Sequence, residues 1–328
     1  MIGLLAIVAL AGCGQKSKET VISDLDSKVK KMSGYQAQAK LSIKTGADAQ
    51  EYTVDVWHSK PTYYRVNLKN AKQDQSQIIL RNDDGVFVLT PALNKSFRFQ
   101  SDWPQNSSQS YLFESLVRDI VKDKDATFTS TDQYYIFETK TNYQNQNMMP
   151  KQEITFSKKD LAPVSVKLLD NDKNALVQVD FSNVKFDAKF DASAFDMKKN
   201  MSGAQMEVPT NGKEDQPFSV LYPNALPQDM KLNDEKQLQS SNGKRIILTY
   251  GTGDKTFTLV EEKAKASQTS VPIGVSGEPV DLGFTIGALT DKSVSWSHEG
   301  VDYMLVAKGL SQDEILAVAR SVYQKSSK

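Results

Sequence analysis

Few residues in this chain could do chemistry. There are two histidines, His58 and His298, and one cysteine, Cys13. Nucleophilic catalysis needs a hydroxyl or thiol with a base in reach, and a zinc site needs His, Cys or carboxylate ligands at defined spacing. Neither histidine stands at such a spacing from a second ligand. Each closes a tryptophan-bearing stretch, Trp57-His58 and Trp296-Ser297-His298, that reads as a strand end. The adjacent carboxylates Asp83-Asp84 and Glu261-Glu262 sit on a turn and a strand, where they serve as turn formers or point to opposite faces. Gly251-Thr252-Gly253 precedes a strand and suits a hairpin turn better than a phosphate-cradling loop. The expectation is a chain with no catalytic residues, no metal site and no cofactor.

The informative reactive group is the thiol. Ile2 to Leu10 is an apolar run of nine residues, followed by Leu10-Ala11-Gly12-Cys13. That run is too short to span a bilayer, which takes about twenty residues, and it suits the apolar region of a secretory signal ahead of small residues. The tetrapeptide matches the lipobox of bacterial lipoproteins. Residues 1–12 are therefore read as a lipoprotein signal peptide and Cys13 as the lipidated residue, held on the extracytoplasmic face of the cell membrane. Two acyl chains, at about 0.8 kcal/mol per buried methylene, suffice for stable anchoring. Forty basic and forty acidic residues cancel, so no global field points to nucleic acid.

Elements must then position whatever the body binds. Residues 13–19 are polar and aperiodic, a tether. Ile22, Leu25, Val29 and Met32 recur at helical spacing, with Gly34 placed where a C-terminal cap belongs. From Tyr35 the period becomes two, predicting strands over 35–43, 52–56, 64–68, 77–81, 85–90 and 95–100. Residues 111–121 return to a helical period, and strands resume at 134–140, 152–157, 163–169 and 176–181. Aperiodic residues from Lys198 to Gln216, rich in Gly, Pro and charge, mark a linker (199–216) between a first domain, 20–198, and a second, 217–328. In the second, strands are predicted at Phe218–Tyr222, Lys244–Tyr250, Thr256–Glu262, Ser293–Ser297 and Asp302–Ala307. Ser311 and Glu314 form a capping box, with Leu310 and Ile315 at the staple positions, opening a last helix.

Aromatic residues crowd the first sheet: Tyr52, Trp57, Tyr63, Tyr64, Phe87, Phe97, Phe99 and Trp103. Either they fill a core, or a curled sheet encloses an apolar cavity. Two stretches bear on that choice, Val56-Trp57-His58-Ser59-Lys60-Pro61-Thr62-Tyr63-Tyr64-Arg65-Val66 and Ile78 through the Asp84-Gly85 turn to Pro91. With Phe190-Asp191-Ala192-Ser193-Ala194-Phe195, they make residues 20 to about 195 resemble the LolA/LolB-like lipoprotein-carrier superfamily. The second domain resembles the one attached in Gram-positive sporulation lipoproteins of the YdcC type. The resemblance implies an α+β fold: an eleven-stranded open antiparallel β-barrel closed by helices and holding acyl chains, plus a smaller α+β C-terminal domain. The family's cavity arginine is replaced by Lys60, which departs from its open–close mechanism.

Two functions follow as expectations. In the first, Tyr52, Val54, Val56, Tyr64, Val66 and Leu68, alternating on neighbouring strands, line a cavity for an acyl chain, lipid or lipoprotein in sporulation or envelope maintenance. In the second, the chain is a non-catalytic regulatory or scaffold lipoprotein that binds an envelope protein, as an RseB-like sensor or as the partner of a cell-wall enzyme.

Overall fold

The computed structural model describes residues 15–44, 49–70, 76–106, 108–143, 148–206, 219–240, 243–265 and 271–322. Cys13 lies outside them. Ser17 caps the first helix, α1 (Lys18–Lys31), by accepting the Thr20 N–H. The chain then runs through β1 (Gly34–Ile43), β2 (Gln50–Ser59), β3 (Tyr63–Asn70), β4 (Ser76–Asn82), β5 (Gly85–Thr90) and β6 (Lys95–Phe99). Helix α2 (Phe113–Lys122) precedes β7 (Thr127–Ser130), β8 (Tyr134–Lys140), β9 (Lys151–Ser157), β10 (Pro163–Leu169) and β11 (Ala175–Phe186). Helix α3 (Met197–Met206) follows. The remainder comprises β12 (Lys231–Ser240), β13 (Gly243–Thr252), β14 (Lys255–Lys263), β15 (Ile273–Val275), β16 (Glu278–Asp281), β17 (Ile286–Leu289), β18 (Ser293–His298) and β19 (Val301–Lys308), and ends with α4 (Gln312–Ser321). The fold is mostly β-sheet with few helices.

Two sheets carry the architecture. The first has twelve strands in the order β15-β6-β5-β4-β3-β2-β1-β11-β10-β9-β8-β7. Its ends, β7 and β15, do not pair with each other, so hydrogen bonding does not close it into a barrel. The alternation in β1 buries Tyr35, Ala37, Ala39, Leu41 and Ile43, and the same inward face continues through Val54, Val56 and Val66 to meet Val21 and Leu25 of α1 and Leu116 and Ile120 of α2. Each Val, Leu or Ile among them contributes about 1.5–3 kcal/mol on burial. The second sheet, in the order β12-β13-β14-β19-β18-β17-β16, packs Leu248, Leu259 and Leu305 against Ile315, Leu316 and Val318 of α4. That helix opens on the Ser311–Glu314 capping box. The sheets share material: β15 leaves the second to pair in parallel with β6, and Ile286 and Ala288 of β17 belong to the first core.

Several expectations need correction. Gly34 is not a left-handed helix cap but the first residue of β1; a Cβ there would lie 2.2 Å from the His58 carbonyl oxygen, so close strand approach demands glycine. The segment read as linker begins as α3, whose Met201 is buried with Phe195, Ile78 and Leu80; its continuation, 207–216, lies outside the described residues. Residues 219–222 are not a strand. The Leu221 N–H goes to the Glu261 carboxylate instead of to a neighbouring strand.

Candidate functional site

The six residues expected to line a cavity do share one face, with Val54 opposite Leu68 and Val56 opposite Val66 across β2 and β3. All six are buried. Val54, Val56, Tyr64 and Val66 pack into the core beneath the helices and line none of the cavities described below. Tyr52 and Leu68 reach the edge of a small one.

A polar knot ties α2 to this packed face. His58, at the end of β2 as the sequence predicts, is buried, with Nδ1 3.0 Å from the Tyr63 carbonyl oxygen and Nε2 3.0 Å from Glu114 Oε1. Tyr64 stacks on its ring at 4.2 Å. The Tyr35 hydroxyl donates to Glu114 Oε2 at 3.1 Å and accepts the Phe113 N–H at 3.2 Å. Burial, reinforced by the Glu114 charge, pushes the Tyr35 phenol well above its ordinary range. Lys60 donates to the Lys30 carbonyl oxygen at 2.6 Å, at the end of α1. These contacts hold the helices down.

Open volume lies elsewhere, along the seam between the sheets. A cleft of about 500 Å³ runs between β5, β6 and β15 on one side and β13, β14, β17, β18 and β19 on the other. Its walls include Val88, Phe97, Phe99, Val260, Val275 and Ala288. Ile273 and Met304, 51 % and 48 % exposed, stand at its mouth, and Val306, 42 % exposed, lies on the same face of β19 as Met304. The charged groups of the cleft are paired: Lys95 Nζ lies 2.6 Å from Asp302 and bridges the sheets, and Arg245 lies 2.8 Å from Glu262, while the buried Trp296 Nε1 on the cleft wall has no hydrogen-bond partner among the described residues. Gln77 Oε1 adds a second bridge, accepting the Ile286 N–H at 2.7 Å and the Thr285 hydroxyl at 3.0 Å.

Two smaller cavities continue the seam. One of about 50 Å³ shares Gln77, Thr90, Ile286 and Ser297 with the cleft. It also touches His298, whose imidazole is lowered to about 4 by burial, with Glu299 opposing. The other, about 80 Å³, shares Leu41, Asp281 and Gly283 with the first. Away from the seam, burial raises the Glu261 carboxyl to about 7, against the Leu221 N–H it accepts. Glu261 therefore differs from its neighbour Glu262, which pairs with Arg245. Among the described residues no group of three His, Cys, Asp or Glu could hold a metal ion, and no helix is long and apolar enough to cross a membrane. What the seam offers chemically is an apolar, charge-balanced place to bind. Sequence reasoning missed it because its walls come from residues 77–99 and 245–304, two segments that no local pattern relates.

A family model described as sporulation protein YdcC-like matches residues 1–195. Sporulation protein YdcC of Bacillus subtilis (strain 168) is 54 % identical over 326 residues, covering 99 % of this chain and 96 % of that protein. Among solved structures, the MucA/MucB complex of Pseudomonas aeruginosa is similar at 15 % identity and a TM-score of 0.35, over 93 % of this chain and 99 % of that one. A LolA superfamily protein from Nitrosomonas europaea is similar at 11 % identity and a TM-score of 0.32, over 56 % of this chain and 99 % of that one.

Proposed function

The chain belongs to the sporulation protein YdcC-like family, and from that premise we propose that it is a lipid-anchored protein of the extracytoplasmic membrane face that serves sporulation by binding, not by catalysis. Cys13, behind its apolar run and small residues, is the anchor. The ligand is an acyl chain, of a lipid or of a lipoprotein, and it enters the cleft between the sheets. The observation that carries this reading is the cleft itself: about 500 Å³, inside the roughly 300–1,000 Å³ range of small-molecule sites, apolar walls, and ion pairs that leave no net charge to repel a hydrocarbon. The test is native mass spectrometry of the full chain carrying Cys13→Ala, with a fluorescent acyl probe as the second readout. Co-purified lipid or saturable probe binding is expected; absence of both overturns the binding reading. The same variant should leave the membrane fraction, and full retention there would remove Cys13 as anchor.

A second reading, a scaffold for an envelope protein, is favoured by β12. Its residues Lys231 to Gln239 are exposed on both faces, and it forms the outer edge of the second sheet. Such an edge offers backbone donors and acceptors to another strand. Envelope proteins captured by cross-linking through β12, with no lipid bound, would favour the scaffold.

A further inference from the structure

We propose that the seam is one binding channel for a long-chain carboxylate, with Arg320 and Tyr143 receiving the head group and the cleft receiving the chain. The inference rests on the acyl-binding reading and adds what end of the ligand is recognised, and where.

Two observations carry it. The cavities are continuous in their walls: the middle one shares residues with the cleft on one side and with the 80 Å³ cavity on the other. And the far cavity holds two buried hydrogen-bond donors that lack acceptors. Arg320, in the last turn of α4, uses Nη2 on the Asp281 carbonyl oxygen at 2.8 Å, while its Nη1 is buried with no partner among the described residues. The Tyr143 hydroxyl is likewise buried with no acceptor in hydrogen-bond geometry among the described residues; burial raises its phenol, against Ser110, a neighbouring donor, which lowers it. Buried donors without acceptors are costly, so two facing the same small cavity point to an acceptor that arrives from outside. A carboxylate supplies two oxygens and the charge that a guanidinium recognises best.

Asp281 does not fill that role. Its Oδ1 accepts the Gly283 N–H at 2.7 Å, and burial pushes its carboxyl above the usual range, toward the neutral form. Burial also lowers Arg320, a cost that an incoming anion relieves. The far cavity is too small for a chain, and among the described residues both cations of the cleft, Lys95 and Arg245, are already paired. The two ends are complementary to the two ends of a fatty acid.

The experiment uses the full chain carrying Cys13→Ala, so that no covalent acyl group competes. Palmitate and 1-hexadecanol, which differ only at the head, displace a fluorescent acyl probe at pH 8. Charge-assisted hydrogen bonds of about 1.5–3 kcal/mol correspond to roughly ten- to hundredfold in affinity, so palmitate is expected to bind at least about tenfold tighter than the alcohol. Arg320→Gln and Tyr143→Phe should each erode that preference and leave hexadecanol unchanged. Tyr143→Phe removes a single hydroxyl whose polar neighbour is Ser110, so it stays informative if Arg320→Gln fails to fold. Equal binding of acid and alcohol, unaltered by Tyr143→Phe, overturns the head-group site while the acyl-binding reading stands. Binding of neither overturns both.

Discussion

The inward face of the first sheet and the seam between the sheets are built from the same residue types, yet one is full and the other open. On the inward face Val54, Val56 and Val66 are fully buried because two helices lie on it, and His58, Glu114 and Tyr35 fasten α2 in place. In the seam Phe97, Val260 and Met304 face a volume of about 500 Å³, and the sheets are held apart and together by polar bridges, Lys95–Asp302 and Gln77–Thr285 among them. Apolar alternation therefore says which face turns away from water. Whether protein or empty space meets it depends on what chain lies opposite.

The comparison breaks most readily at a phenylalanine from each region. Phe113 is fully buried and touches the rings of Tyr35, Phe156 and Phe186, so Phe113→Ala should cost about 3–5 kcal/mol in a denaturant melt. Phe97, half-buried on the cleft wall, already has space beside it, and Phe97→Ala should cost less than about half of that. Equal losses would mean that the cleft is packed in solution.

Acidification should act next, and on the seam. His298 has a folded-state pKa of about 4 against 6.5 for an ordinary imidazole. Above pH 6.5 it is neutral folded or unfolded, and its contribution is fully present. Between 6.5 and about 4 the unfolded chain takes up a proton that the folded chain resists, so stability falls across that window, by up to about 3 kcal/mol. Glu261, raised to about 7, adds stability as the pH falls over the same window, so the check is the difference between wild type and His298→Gln. Unfolding midpoints recorded from pH 7 to 4 should show the wild type losing stability relative to the variant as the pH falls. A difference that stays constant with pH would place a freely solvated imidazole at the seam.

Much of this was legible in the sequence and the rest had physical reasons not to be. Strands β1 to β3 announce themselves because one face of each is buried and the other is not, and α4 because Ser311 and Glu314 leave a cap signature. β12 is invisible to the same reasoning: a strand exposed on both faces from Lys231 to Gln239 has no alternation to read. β15 is three residues long and pairs with β6, far from it in sequence. Tyr52, Val54, Val56, Tyr64, Val66 and Leu68 share one buried face, but nothing in their spacing told that α1 and α2 would fill it. Arg320 carries no signal in the sequence, since its partner Asp281 lies on another element across the fold.

The sharpest comparison adds volume in each region instead of removing it. Val66→Trp forces a large ring into a site that is fully buried among side chains already in contact, and overpacking of that kind costs about 1–3 kcal/mol. Val260 is half-buried on the cleft wall, in register with Ile247 on one side and Met304 on the other. An indole there has the cleft to occupy, so Val260→Trp should shift the unfolding midpoint by less than about 0.5 kcal/mol. It should instead abolish displacement of a fluorescent acyl probe, because the ring takes the ligand's place. Val66→Trp should show the opposite pattern, a lowered midpoint with probe binding retained in whatever fraction stays folded. If Val66→Trp were the tolerated substitution and Val260→Trp the destabilising one, ligand space would lie under α1 and α2 after all, and the seam would be an ordinary packed contact between two sheets.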